Sequence, residues 1–165
     1  MSVCLHRALH SKLLTRDFLK SLNIADTDTC ILCNASKETI QHPYFQCPYS
    51  SYIWSLCRLK LGLAGSPIGT LQDGAKLIKS SFKAKARTSV LAKLVLAAAV
   101  WHIWREENQR VFQLQEQNKL IVFRRLYKDV SVLLRTCNWK SDRIRIGSVI
   151  CAFKLELLMY ACISY

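Results

Sequence analysis

The chain has 165 residues, 51% of them hydrophobic and 21% charged, which excludes a disordered chain and allows a buried core. Only 5 Gly and 3 Pro occur, too few for a turn-rich all-β fold, and no strand-like alternation is present, so the expected class is mainly α. A formal charge of +13, from 24 Lys and Arg against 11 Asp and Glu, favours polyanionic partners, nucleic acid first and an acidic membrane surface second.

Leu5–Leu22 reads as helix, with Leu5, Leu9 and Leu13 on one face. Thr15 can cap a separate short helix that starts at Arg16. Asn23–Ala35 is a polar loop around Cys30 and Cys33. Ser36 is a candidate cap for a helical turn over Lys37–Ile40, where Glu38 suits the positive end of the helix dipole. Pro48 fits the first position of a helix reaching about Leu61, with Ile53, Trp54, Cys57 and Leu61 at helical spacing. Residues 62–70 carry Gly62, Gly65, Pro67 and Gly69 and read as a linker.

Beyond the linker, Leu71, Ala75, Ile78 and Phe82 form an apolar stripe, and Lys76, Lys79, Lys83 and Arg87 fall on another face. A long helix is predicted over Thr88–Gln115, with Leu91, Leu94, Val95, Ala98, Trp101 and Trp104 facing a core. The run Ala97-Ala98-Ala99 admits a close neighbour. Residues 119–136 read as a further helix with Leu120, Phe123, Leu126, Tyr127, Val130 and Leu134 inward. The organisation is then a cysteine-bearing module over 1–61, the linker 62–70, a basic helical region over 71–141, and an apolar tail over 142–165 whose pattern fits strand and helix equally. No segment is long and apolar enough to span a membrane, since Leu94–Trp104 is short and Val149–Tyr165 is broken by Lys154 and Glu156.

The chemistry sits in Cys30, Cys33, His42 and Cys47, spaced C-x2-C-x8-H-x4-C. Two thiolates two residues apart grip one ion from a tight turn, and the His–Cys pair closes a tetrahedron from a second element. Thiolate and imidazole are the donors zinc prefers. Four protein ligands leave no position for water, so the expected cofactor is one structural Zn2+. A redox role for Cys30 and Cys33 would need a thioredoxin-like βαβ context, which is missing.

Cys4, Cys57, Cys137, Cys151 and Cys162 have no partner at ligand spacing and read as small buried residues. His102 lies among Trp101, Ile103 and Trp104 and reads as a hydrogen-bonded core residue. His6 and His10 are four apart without an evident third ligand. Asp26 and Asp28 read as part of a solvated turn. Phosphate loops, nucleophile elbows and His-Glu-x-x-His are absent from the sequence, so no enzyme activity is expected. Met1–His10 is interrupted by His6 and Arg7 and makes no apolar signal segment. The cysteine spacings fit ligation better than disulfides, and together these readings predict an intracellular protein, nuclear or cytoplasmic. A transit peptide is a weaker reading of residues 1–24, because a folded module accounts for them.

The positive charge is uneven: 7 basic and 4 acidic residues over 1–60, against 17 and 7 over 61–165. Lys76, Lys79, Lys83 and Arg87 on one predicted helix, with Arg124, Arg125 and Lys128 on a later one, are the candidate nucleic-acid contacts.

The run Ala8–Leu19, then Cys30-Ile-Leu-Cys33, Glu38-Thr-Ile-Gln-His42, Phe45-Gln-Cys47-Pro48 and Ile53-Trp54, resembles the zinc-binding domain of plant non-LTR retrotransposon reverse transcriptases over roughly residues 5–57. Trp101–Phe112 is similar to the tryptophan- and arginine-rich helix that often follows. The resemblance implies zinc ligands at Cys30, Cys33, His42 and Cys47, and a zinc-dependent accessory to a polymerase that is itself absent from this chain. The chain opens inside the family's first helix, Pro43 replaces an apolar residue, and Glu107 stands where a basic one is common.

The expectation is therefore a small Cys3His zinc module between helices with a helical extension, noncatalytic and binding DNA or RNA weakly with low specificity. The alternatives are a protein-interaction module docking through Trp101, Trp104 and the apolar tail, and a transposon remnant without selected function.

Overall fold

A computed structural model describes residues 3–10, 12–63, 68–82 and 87–136. Lys83, Cys137, Cys151, Cys162 and the predicted tail 142–165 lie outside the described residues, as does part of the predicted linker. Six α-helices occur among the described residues: α1 Val3–Leu9, α2 Arg16–Ser21, α3 Pro48–Lys60, α4 Leu71–Ser81, α5 Arg87–Gln113 and α6 Lys119–Thr136. A π-helical turn covers His42–Gln46. Described residues form no strand, only an isolated antiparallel bridge between Thr29 and Lys37. The mainly helical class is what the composition predicts.

Each helix has a local reason to start or stop. The backbone of Thr15 is extended at the N-cap of α2, yet its hydroxyl pairs with Asp17 and not with a backbone amide. Glu38 does the capping from 22 residues away, its Oε1 accepting the Arg16 N–H at 2.9 Å. This corrects the predicted turn over Lys37–Ile40: Lys37 is held in the bridge to Thr29, so Glu38 serves another helix. Pro48 opens α3 as expected, where its missing N–H costs nothing. Gly62 ends α3 at φ +67°, letting the Leu63 N–H reach back to the Arg58 carbonyl. Thr70 caps α4 reciprocally, accepting the Asp73 N–H and donating to the Asp73 carboxylate. Asn118 caps α6, its side-chain oxygen accepting the Leu120 N–H at 2.8 Å.

Helix α5 is the axis of the fold. It spans about 40 Å at 1.5 Å per residue, and α1, α3, α4, α6 and the π turn all pack against it. Ala97, Ala98 and Ala99 are buried there, with Val100, Trp101 and Ile103 beside them. On α6 the buried residues are Val122, Leu126 and Val130. Leu120 and Tyr127, predicted inward, are 36% and 50% exposed, because α6 offers a narrower stripe to α5 and α3 than the pattern implied. Leu71 and Ile78 are buried on α4, and Lys76 and Lys79 stand in solvent, as the stripe predicts. Helix α4 also approaches the π turn closely at Gly74, where a β-carbon would lie 3.4 Å from the Phe45 ring.

Candidate metal centre

Cys30 and Cys33 sit on a tight knuckle. The Cys30 N–H bonds the Ser36 carbonyl and the Asn34 N–H bonds the Cys30 carbonyl, both at 2.8 Å. Closing the turn requires Asn34 at φ +53°, a left-handed conformation that asparagine tolerates. His42 and Cys47 come from the π turn. On an α-helix, residues five apart point about 140° away from each other. The π turn removes that offset, its 2.8 Å Cys47 N–H to His42 carbonyl bond stacking the two donors on one side. Pro43 lies in the first turn, where no N–H is needed.

The four donor atoms lie within 4.8 Å of one another, and Cys33 Sγ is 3.4 Å from His42 Nε2. Donors held ~2.0–2.3 Å from one tetrahedral ion stand roughly 3.5–3.8 Å apart, so the cluster fits zinc with little adjustment. Cys30, His42 and Cys47 are buried and Cys33 is partly exposed. The peptide N–H groups of Leu32 and Cys33 face the Cys30 sulfur, and those of Tyr49 and Ser50, at the start of α3, face the Cys47 sulfur. These amides disperse thiolate charge inside the fold. The Cys30 thiol donates to Cys47 and is pushed well up by that bond and by burial. Cys47 is pulled down by accepting that bond, then by the α3 amides, against its own burial.

Residues 1–54 match the family described as zinc-binding in reverse transcriptase. The match covers about a third of the chain and contains all four donors. No curated protein and no solved structure matches the chain.

The segment that carries the four donors is clamped to α5 by a residue that sequence reasoning missed. Arg110 is 6% exposed and donates to the carbonyls of Ile31 and Leu32, inside the knuckle, at 3.1 and 3.2 Å. Its Nε pairs with Glu106 at 2.8 Å, its Nη2 donates to the Gln117 carbonyl, and its guanidinium lies 4.7 Å from the Tyr49 ring centroid. Tyr49 donates its hydroxyl to the same Gln117 carbonyl, and Glu106 accepts the Gln117 N–H. The sequence signals were the Glu106/Arg110 spacing, which by itself describes an ordinary helix-surface pair, and the place of Arg110 in the Trp101–Phe112 run.

Glu107 has a structural role in place of the basic residue the resemblance implied. Its carboxyl meets Glu38 beneath the zinc segment, and burial first, then the charge and hydrogen bond of Glu38, raise its pKa well above the usual carboxylate range. His102 is a core residue as expected, with Nε2 3.1 Å from Asp129 of α6. The exposed rings of His6 and His10 lie 4.4 Å apart, and no third donor joins them among the described residues. Asp28 is engaged by Lys20 and Lys37. Cys4 and Cys57 are buried thiols whose pKa values burial pushes up to about 12.

The predicted nucleic-acid residues are spread over several elements. Lys76 and Lys79 lie on α4, and Lys76 is 3.9 Å from Asp73. Arg87 begins α5, and its side chain lies outside the described residues, as does all of Lys83. Arg124 and Lys128 stand exposed on α6. Arg125, exposed on the same helix, also lines a small cavity with His102, Arg105 and Glu106.

Proposed function

We propose that the protein is a noncatalytic module, stabilised by one structural Zn2+ on Cys30, Cys33, His42 and Cys47, that binds nucleic acid through phosphate contacts with little sequence selectivity. The observation that carries this reading is the closed Cys3His cluster within a segment matching the reverse-transcriptase zinc-binding family. Zinc there would tie the knuckle to the start of α3 and leave no site for water. The acidic side chains Glu38, Glu106 and Glu107 are occupied in packing α5 against the zinc segment, while Lys76, Lys79, Arg124 and Lys128 remain exposed. That arrangement leaves a positive exterior around a neutralised interior.

Derivation from a plant non-LTR retrotransposon is part of the same proposal, resting on the chained motifs, and so is an intracellular, nuclear or cytoplasmic location. No helix among the described residues is long and apolar enough to cross a membrane. The protein-docking alternative loses one of its anchors, because Trp101 is only 2% exposed in the core. Metal analysis and oligonucleotide binding on one preparation test the proposal. One zinc per chain with salt-sensitive binding supports it, and metal-free folded protein that ignores polyanions refutes it.

A further inference from the structure

Helices α3 and α6 run side by side in the same direction, and two lysine–tyrosine pairs cross the seam between them. Lys119 Nζ of α6 lies 4.4 Å from the ring centroid of Tyr52 on α3. Lys60 Nζ of α3 lies 5.7 Å from the ring centroid of Tyr127 on α6. Each partner in the second pair is eight residues beyond its counterpart in the first, so the two rungs stand about 12 Å apart along the seam. Tyr52 is 38% exposed and Tyr127 50% exposed. Phe123 lies between them on α6, its ring centroid 6.2 Å from that of Tyr127.

We infer that this seam binds single-stranded nucleic acid by stacking bases on Tyr52 and Tyr127. The inference rests on the proposed polyanion binding and gives it a substrate class. Half-exposed aromatic rings interleaved with cations are the elements by which proteins hold unpaired strands: every base has a face to stack, and the backbone meets the positive charge. A duplex hides its base faces and gains only the charge.

The free protein already shows how the exchange would proceed. Each tyrosine ring is covered by a lysine ammonium, a contact that is weak at exposed sites. An incoming base takes the ring face, and the displaced Lys60 or Lys119 meets the neighbouring phosphate, so no group loses a partner. Arg124 and Lys128 stand exposed further round α6. The seam opens at its Lys119 end into a groove of about 580 Å3 lined by Tyr49, Pro48, Asn34 and Asn118, with Glu116 as its acidic residue. The acidic side chain of α6, Asp129, is paired with His102 of α5.

The test compares a labelled oligothymidine with a duplex of equal length, using the zinc-loaded full chain and fluorescence anisotropy. Replacing both Tyr52→Leu and Tyr127→Leu should weaken single-strand binding about tenfold or more. Duplex affinity and the salt slope should stay unchanged, and the Tyr52→Phe, Tyr127→Phe pair should bind as the parent does. Lys60→Ala with Lys119→Ala should instead flatten the single-strand salt slope by about 1.4, the share of two phosphate contacts. Ultraviolet crosslinking of the unmodified protein should map thymine adducts to Tyr52 or Tyr127. Leucine variants that hold single strands as the parent does, or crosslinks at neither ring, would overturn the stacking inference while leaving the charge reading intact. Failure of the parent protein to bind either oligonucleotide would overturn both.

Discussion

The Arg110 guanidinium donates a 3.1 Å hydrogen bond to the carbonyl of Ile31, between the two cysteines of the knuckle and 79 residues away along the chain. The contact couples the metal segment to the central helix. It satisfies backbone carbonyls that the tight turn leaves without partners, and it does so with a cation that Glu106 neutralises.

Removing that cation should therefore harm both halves. Arg110→Ala would strand Glu106, 1% exposed, as a buried unpaired charge, at a cost of about 3–5 kcal/mol. Thermal unfolding of the zinc-loaded protein should show a large fall in Tm, and competition with a chelator should show faster zinc release. Arg110→Lys should recover only part of the loss, because one ammonium cannot reach Glu106, the knuckle and Gln117 together. An Arg110→Ala protein as stable as its parent would show that the clamp adds nothing.

The ligand set makes its own prediction. Reduced protein should carry a single zinc, and His42→Ala or Cys33→Ser should lower its zinc content and unfold the knuckle and π turn. Cys57→Ser should leave zinc content unchanged, since Cys57 is buried on α3 and is not among the clustered donors. Elemental analysis after gel filtration distinguishes these outcomes.

Glu107 should make stability depend on pH with an unusual sign. Its folded-state pKa is raised above the ordinary value of 4.5 by burial and by Glu38. The folded chain therefore holds a proton that the unfolded chain has released. Between those two pKa values stability falls as pH rises; below the lower one the difference disappears. Glu107→Gln should accordingly raise Tm more at pH 8 than at pH 4. A substitution effect independent of pH would show that Glu107 is ionised in the folded protein.

For the exposed cations, log K for single strands should fall by about 0.7 per phosphate contacted for each log unit of salt, and for duplex by ~0.9. Lys76→Ala with Lys79→Ala on α4 should make the slope shallower without altering preference among base sequences, because phosphate contacts carry no sequence information. A slope that ignores these substitutions would remove α4 from the binding surface and leave the seam of α3 and α6 as a candidate.

Much of this architecture was legible in the sequence because it depends on neighbours in the chain. Helical periodicity placed α3 through α6 to within a few residues, and Thr15, Pro48 and the Lys76/Lys79 face lay where local rules put them. The donor set could be read from spacing, since a knuckle needs two cysteines two residues apart and a second pair to close the ion. Three features depended on residues far apart in sequence, and only the tertiary structure decided them. Glu38 caps α2 and not its own segment, because the Thr29–Lys37 bridge turns it inward. The π turn brings His42 and Cys47 to one side, a register that no hydrophobic pattern encodes. Arg110, by its spacing a surface residue, is buried because the carbonyls it serves arrive from the knuckle. Periodicity records which face of a helix is apolar. It does not record which distant polar groups will be delivered to that helix, and at this site those deliveries set the geometry.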